Sequence, residues 1–583
     1  MSFGSLGERI ERVRSRLRGW GFARGDVVAW PVVDRPVAAA AIAVMPVGCS
    51  LALLDARASV AASRQTLERL RAKAVVLPGS GSSWDWVAGA LDLSVMVADD
   101  DGSGLAGAFD LRLAKRAASL ERGGALAPAC AVIGATSGST GRPKLVPHGH
   151  RQILASATAM AERLAIGPGD VSGHVSPLHL AGGIRNAYLH VIANGGSTEI
   201  LPEMDASALL AAIAAGRITY VSASFALFRE VLARLEGGEV FEPARLRVVR
   251  VASGRLEPEE SRRLESRLRV PVVTGLSSSE AGSMTHQRLP PAPRSEGSVG
   301  PPLHTDVRMI DESGGEVAAG EVGEIVVRGP QVFDGYVDDD ALNARAFVDG
   351  WFRTGDLGRF DAGGEVHVVG RLKDVINRGG DKISPAEIDS IILGIPGVAD
   401  AACFGVPHPR LGEEVVAAVV IHATALVDER TVKRQVGERL GPRRAPRRVV
   451  VIDALPRNAA GKVDRPELAR RYALTAVDAS DGAFAVRAAD PIEAAVAALW
   501  TVVLGDEERG SDPPGSRRRI GPDDAAALVE RVRQVFGVDL PIDAIGPQTT
   551  AGALAQSIAR ALGDAGGASR AAGGASGASD AGI

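Results

Sequence analysis

At 583 residues the chain has room for about three to five domains of roughly 100 to 200 residues each, which excludes a single small binding module. Sixty-six basic and 70 acidic residues leave a net charge of −4, so the basic footprint of a nucleic-acid binder is missing and no nucleic-acid partner is expected. Apolar residues make up 46% of the chain, enough for sizeable cores.

The first residues, Met1 to Ser5, lack the basic and apolar regions of a signal peptide. Leu6, Ile10, Val13 and Leu17, set among arginines, predict a helix over 6–20. The apolar run 36–54 contains Pro46 and Gly48, so it predicts a buried helix followed by a strand; no membrane partner is expected. From about 27 to 275, short Val/Ala/Ile runs alternate with helical stretches such as 61–71 and 257–269, the signature of βα units and parallel sheets. From about 306 to 369, alternating strands such as Glu324-Ile325-Val326-Val327-Arg328 predict a small antiparallel, barrel-like part. A smaller α+β unit follows: helix 385–393, strands 401–406 and 415–422, helix 428–440 and strand 448–452, with its boundary near 370–374.

Residues 475–489 read as a linker. Asp490-Pro491-Ile492-Glu493 then supplies an N-cap, a proline at the first helical position and a capping-box glutamate. Apolar stripes at Ile492/Val496/Leu499/Val503, Leu528/Val532/Val535/Phe536 and Leu554/Ile558/Leu562 predict a helical bundle, and the Gly/Ala/Ser-rich tail 564–583 is expected to be disordered. The predicted architecture is an α/β multidomain protein: a large unit 1–370 of mixed βα sheets, a small mobile α+β lid 371–474, the linker, a bundle 490–563 and the tail.

Three cysteines, Cys49, Cys130 and Cys403, show no CxxC spacing, so neither a disulfide framework nor a zinc site is expected, and the compartment reads as reducing and cytoplasmic. Lysine is scarce. Seven lysines (Lys73, Lys115, Lys144, Lys373, Lys382, Lys433, Lys462) leave 66 − 7 = 59 arginines. Where Arg serves as the generic surface cation, a retained Lys marks a place that needs a compact ammonium on a flexible stem.

After the strand-like Ala131-Val132-Ile133 comes Thr136-Ser137-Gly138-Ser139-Thr140-Gly141-Arg142-Pro143-Lys144. Its hydroxyls and glycines can turn O–H and backbone N–H groups toward a polyphosphate, and Lys144 can neutralise one of its oxygens. The spacing is not that of a Walker loop. This stretch resembles the signature loop of the adenylate-forming superfamily, which includes acyl-CoA synthetases, luciferases and nonribosomal peptide adenylation domains. Further segments follow in that family's order: 176–183 with His179, 277–280 ending in Glu280, Gly323-Glu324-Ile325, 350–356 ending in Asp356, 370–374, and 456–462 ending in Lys462.

The resemblance implies ATP and Mg²⁺ as the nucleotide and metal. The loop from Thr136 to Lys144 is expected to hold the β- and γ-phosphates, and Glu280 the Mg²⁺, a hard cation that prefers oxygen. Lys462 is expected to neutralise the charge that builds up when a carboxylate attacks the α-phosphorus. Asp356 is expected to accept from both ribose hydroxyls, with Arg371 as a second ribose or phosphate contact and Gly254 and Leu276 beside the adenine. Lys373 falls at the family's hinge, Gly379 and Gly380 on the path of an incoming thiol, and His179 beside the acyl pocket as a second catalytic candidate.

Four departures from the pattern bear on function. Leu276 and Ser277 replace an aromatic residue and a glycine near adenine, and Ser253-Gly254-Arg255 replaces a run of small residues. Pro177 to Gly182 carries no acid to pair with a substrate ammonium, which disfavours an α-amino acid. Arg185 reads first as a snorkelling surface arginine and alternatively as a partner for a second carboxylate or polar group on the substrate. Finally, 490–562 resembles a carrier domain in which Gly521-Pro522-Asp523-Asp524 stands at the attachment motif. Asp524 replaces the serine there, so no covalent phosphopantetheine is expected on this chain unless Ser511 or Ser516 serves. The reading is an ATP-dependent enzyme that activates a small carboxylic acid and passes it to CoA or to the phosphopantetheine of a separate carrier protein, in secondary metabolism. An amino-acid-adenylating enzyme and a catalytically impaired scaffold are the alternatives.

Overall fold

The computed structural model describes residues 2–77, 84, 86–87, 91–100, 102–103, 108–118, 130–136, 144–180, 182–238, 242–254, 256–422, 427–457, 462–477, 521–536, 538, 540–545, 554 and 557–558. A seven-stranded sheet contains β1 (Val27–Val32), β2 (Ser50–Asp55), β3 (Ala74–Leu77), β4 (Ser94–Asp99), β5 (Asp110–Lys115), β6 (Cys130–Thr136) and β7 (Lys144–Gly149), in the order β5-β4-β3-β1-β2-β6-β7. Its interior pairs are parallel, as the alternating pattern predicts, but both edges are antiparallel. The connections explain the difference, because neither the β4–β5 nor the β6–β7 link is long enough for a crossover helix.

A second sheet is parallel throughout: β8 (Val171–His174), β9 (Ser197–Ile200), β10 (Tyr220–Ser224), β11 (Val248–Ala252) and β12 (Val272–Thr274), in the order β12-β11-β10-β8-β9. Side chains alternate across it. Val221, Ala223, Val249 and Val251 join the core formed with helices Ala206–Ala214, Phe225–Glu236 and Pro258–Leu268, whereas Tyr220 and Val248 join the core under helix His150–Leu164. Asp205 and Ser224 cap two of these helices by accepting from Ala208 N and Leu227 N, as short polar side chains at helix starts do.

After the short hairpin β13 (Ser277–Ser278) and β14 (Gly282–Ser283) comes an antiparallel sheet of β15 (Asp306–Ile310), β16 (Gly323–Arg328), β17 (Phe347–Val348), β18 (Trp351–Phe360) and β19 (Val366–Arg371). Its order is β15-β16-β18-β17 with β19 on β18, so among the described pairings it is an open sheet where a barrel-like part is predicted; the two-residue β17 is too short to carry the pairing round.

The smaller C-terminal unit holds β20 (Ile376–Arg378), β21 (Asp381–Ile383), β22 (Val398–His408), β23 (Gly412–Ile421) and β24 (Arg448–Val451), with helices Pro385–Leu393, Glu429–Leu440 and Arg465–Val477. The last helix runs into the stretch read as a linker from 475. Beyond it, helix Pro522–Phe536 buries Ala525, Leu528 and Val532, and Ile545, Leu554 and Ile558 are also buried. The predicted helix from Asp490, Ser511, Ser516 and the tail 564–583 lie outside the described residues. No helix among those described is long and apolar enough to cross a membrane.

Burial pushes His174 down to about 4, and His190 and His286 down to about 3. The folded state therefore refuses protons that the unfolded chain takes up below about pH 6.5. This stability is present above that pH and is lost as the pH falls toward 4 and then 3, at about 1.4 kcal/mol per pH unit for each ring. Thermal unfolding is expected to move to lower temperature between pH 7 and pH 5, and His174→Gln should flatten that profile; a profile independent of pH would contradict the burial argument.

Candidate active site

The chain first brings Glu280, Tyr336 and Lys144 together. Glu280 follows hairpin strand β13, its carbonyl accepts from Phe333 N at 2.9 Å, and its Oε1 accepts from the Tyr336 hydroxyl at 2.8 Å. Lys144 Nζ stands 5.0 Å from the centroid of the same Tyr336 ring. Desolvation and the neighbouring Glu280 carboxylate push the Tyr336 phenol up, so it remains a hydrogen-bond donor. Thr136 pairs with Lys144 across β6 and β7, so the two ends of the predicted phosphate loop are fixed to each other. Ser137, Gly138, Ser139, Thr140 and Gly141 lie outside the described residues.

Strands β18 and β19 supply the next pair. Asp356 faces Arg371 in register, and Arg371 Nε donates to Asp356 Oδ1 at 2.9 Å. Desolvation raises the Asp356 pKa, while Arg371 and then Lys462 lower it. The turn before Asp356 is held from behind by Glu324, whose Oε1 accepts from Gly355 N at 3.2 Å and whose Oε2 accepts from Arg353 Nε at 2.9 Å. Gly355 has φ +70°, a left-handed conformation that glycine adopts without strain. Glu324→Gln removes the charge from these bonds and is expected to raise KM for ATP roughly tenfold with a smaller change in kcat. Steady-state kinetics would check it, and an unchanged KM would contradict a positioning role.

Lys462 completes the group. It stands where solvent reaches it, yet desolvation and then Arg371 push its ammonium pKa down, Asp356 and Glu280 pull it up, and Lys373 adds a like charge. Five charged residues from positions 280 to 462 thus share one electrostatic neighbourhood. The small unit is tied to the large one by Ser390 Oγ, which donates to Glu257 Oε2 at 2.8 Å, and by Asp400, which meets Arg229 at 3.8 Å and also pairs with Arg457. Lys373 lies in the turn Leu372–Asp374, between the last strand of one unit and the first of the other.

The other predicted residues have more local surroundings. Gly379 and Gly380, with φ +60° and +94°, form the two-residue turn of the β20–β21 hairpin, which demands glycine-like geometry on its own account. Gly254 packs beneath Phe225, where a Cβ would stand 2.4 Å from the ring. Leu276 is half-buried, and its N–H donates to Thr285 Oγ1 at 3.2 Å. His179 Nε2 lies 3.9 Å from Asp55 Oδ2, in a chain of charges running through Arg57, Glu203 and Arg35. Burial lowers the His179 pKa, and Asp55 raises it. Asp524 sits in the first turn of helix Pro522–Phe536, its Oδ2 accepting from Gly521 N at 3.3 Å.

One reading is overturned. Arg185, taken as a surface arginine, is 4% exposed. The Gly182–Leu189 segment carries it inward, where Nη1 donates to Ser279 O at 3.2 Å and to His148 Nδ1 at 3.1 Å and Nη2 donates to Gln331 O at 3.3 Å. Burial lowers its pKa to about 10 and Glu280 raises it, so it stays charged at neutral pH. Tyr336 went unrecognised in the sequence, and Arg185 and the Gly323-Glu324-Ile325 segment were singled out there without these supporting contacts. Tyr336 had a usable signal, because only four tyrosines occur in the chain and scarcity already singles out the lysines.

Among the described residues no group of three or more His, Cys, Asp or Glu side chains could hold a metal by itself. Glu280 still suits Mg²⁺, which commonly takes one or two carboxylates and completes its shell with phosphates and water. Tyr336 occupies only Oε1.

Two α/β sheets, an antiparallel sheet and a smaller unit that brings Lys462 into the electrostatic neighbourhood of Asp356, Glu280 and Arg371 suit a nucleotide-dependent enzyme. The AMP-binding enzyme family matches residues 1–337, and its C-terminal domain matches 387–462. The chain belongs to this family. It is 35% identical over 335 residues to a sulfoacetate–CoA ligase of Cupriavidus necator, covering 57% of this chain and 65% of that one, so it spans just under two thirds of that relative's length. A 2-succinylbenzoate–CoA ligase of Bacillus licheniformis is 30% identical over 476 residues, covering 80% of this chain and 94% of the relative. The crystal structure of ATP-bound MatB from Rhodopseudomonas palustris superposes with a TM-score of 0.70 at 28% identity, covering 81% of this chain and 93% of the other.

Proposed function

We propose that the chain is an ATP-dependent, AMP-forming acid–thiol ligase acting on a small carboxylic acid that is not an α-amino acid. The convergence of Glu280, Asp356, Arg371 and Lys462 carries the reading. A carboxylate oxygen of the acid attacks the α-phosphorus, the bond to the bridging oxygen of the β-phosphate breaks, and pyrophosphate leaves with the electron pair. A thiolate then attacks the acyl carbon, the carbon–oxygen bond to AMP breaks, AMP leaves, and the thiol proton passes to solvent.

Each residue then has a task in that chemistry. Thr136 to Lys144 hold the departing phosphates, and Asp356 accepts from the ribose hydroxyls while Arg371 keeps its carboxylate oriented. Gly254 and Leu276 border the adenine. Lys462 offsets the repulsion between two anions as they approach, a fixed charge aimed where negative charge builds up. Mg²⁺, held by Glu280, supplies further neutralisation of the phosphates. Rotation about Lys373 withdraws Lys462 after adenylation and turns Gly379 and Gly380 toward the thiol, and His179 borders the acyl pocket.

The large unit is 1–370, the mobile lid 371–474, and 490–563 a carrier-like bundle that lacks the attachment serine. The acceptor is therefore CoA or a separate carrier protein, in the cytoplasm and in secondary metabolism. Pyrophosphate exchange into ATP across a panel of acids, with Lys462→Ala as control, tests the reading. Exchange with α-amino acids alone marks an amino-acid-adenylating enzyme, and exchange with none marks a scaffold. After incubation with CoA and a phosphopantetheinyl transferase, the intact mass of the chain should be unchanged; an added arm on Ser511 or Ser516 contradicts the carrier assignment.

A further inference from the structure

Arg250 is 0% exposed in the middle of β11, where its neighbours in sequence are valines. Its side chain shares the face of Tyr220 and Ser222, opposite the apolar face of Val249 and Val251. Nη1 donates to Ser222 Oγ at 3.0 Å and Nη2 to Ser277 Oγ at 3.4 Å, while Nε has no partner. Among the described residues no Asp or Glu forms an ion pair with it. Tyr220 Oη, His190 Nε2 and His286 Nε2 are also buried without partners, and the His190 and Tyr220 rings stand 5.3 Å apart. Both histidines are held neutral by burial and by Arg250 itself. Arg250 is therefore a positive charge in the interior with no carboxylate beside it among the described residues, a costly arrangement unless an anion meets it.

Its position says where the anion comes from. Arg250 pairs in register with Ser222, and the next residues up the same face are Ala252 and Ser224, paired with each other at the C-terminal edge of the parallel sheet. Ligands of open α/β sheets bind at that edge. Ala252, Ser224 and Ser277 are only half-buried, and all three are small, so little side-chain bulk separates the guanidinium from that edge. One side-chain layer, about 6.6 Å at the rise of a parallel strand, lies between the two, a distance that a spacer of a few carbons spans. Ser277, which Arg250 touches, lies three residues before Glu280.

We propose that Arg250 is the counter-ion for a second anionic group on the acid substrate, so that the chain selects compact acids bearing two anionic groups, one of which is adenylated. This rests on the adenylating reading above. The alternative source of the same chemistry is an inorganic anion held permanently beside Arg250.

The test is pyrophosphate exchange by the full chain with matched pairs: malonate and propanoate, succinate and butanoate, glutarate and pentanoate. At least one dianion is expected to exceed its partner in kcat/KM by roughly tenfold or more, and Arg250→Met should lower that value roughly a hundredfold while leaving the best monoacid within about threefold. Should Arg250→Met not fold, Arg250→Lys, which keeps the charge but loses the fork, is expected to show the same selective loss to a smaller degree. Preference for monoacids throughout overturns the proposal and leaves adenylation standing, as does an equal loss for both kinds of acid. Stabilisation of wild type but not Arg250→Met by chloride or inorganic phosphate, with no preference between paired acids, marks a permanent inorganic ion and also overturns it. No exchange with any acid overturns the adenylating reading and the proposal together.

Discussion

Replacing Lys462 with alanine is expected to lower pyrophosphate exchange about a hundred- to a thousandfold, the effect of removing one fixed charge-stabilising donor from a transition state. The geometry gives the reason. Desolvation and Arg371 both disfavour an ammonium at this place, and Asp356 and Glu280 sustain it, so the small unit places a cation beside one already there. Such a charge is retained where incoming anions need it. Nucleotide binding, measured by calorimetry, should change much less than exchange, because Arg371 and Asp356 remain paired without Lys462. Thioester formation from a pre-made acyl-adenylate should also survive, since no phosphoryl group moves in that step. A variant that exchanges normally, or that loses ATP binding in proportion, would assign Lys462 to binding alone.

Arg185→Met is expected to cost on the order of 3 kcal/mol of stability and to raise the Mg²⁺–ATP requirement at the same time. Removing the guanidinium leaves the carbonyls of Ser279 and Gln331 and Nδ1 of His148 without their donor, and Glu280 loses its buried countercharge. Unpaired buried acceptors carry their full desolvation penalty, whereas removing both sides of a buried polar contact is far milder. The double change Arg185→Met with His148→Leu should therefore recover part of the stability but none of the metal dependence. Thermal unfolding and Mg²⁺ titrations of activity check the two halves separately. A single variant as stable and as active as wild type would show that Arg185 merely fills space.

The order of elements was legible in the sequence wherever local chemistry decides it. Helix Pro385–Leu393 falls where its pattern puts it, and Asp428 caps helix Glu429–Leu440. Edge pairing was not legible, because whether β5 and β7 run antiparallel depends on connections that apolar periodicity does not report. The charged positions of the candidate site were readable because Glu280, Asp356 and Lys462 stand in ordered motifs and lysine is scarce. The supporting roles were not. Arg185 lies in a segment whose π-helical turn carries it inward, and Glu324 sits on a strand whose alternation would suit either face. Arg250 interrupts a valine run, a local conflict of the kind that tends to mark a functional site.

The central claim is that an acid's own oxygen becomes bonded to the α-phosphorus. It is tested most directly by supplying a substrate acid labelled with ¹⁸O in its carboxylate and recovering the AMP after thioester formation. The account predicts one labelled oxygen in each AMP and none in pyrophosphate. Unlabelled AMP, or orthophosphate as the product, would contradict it.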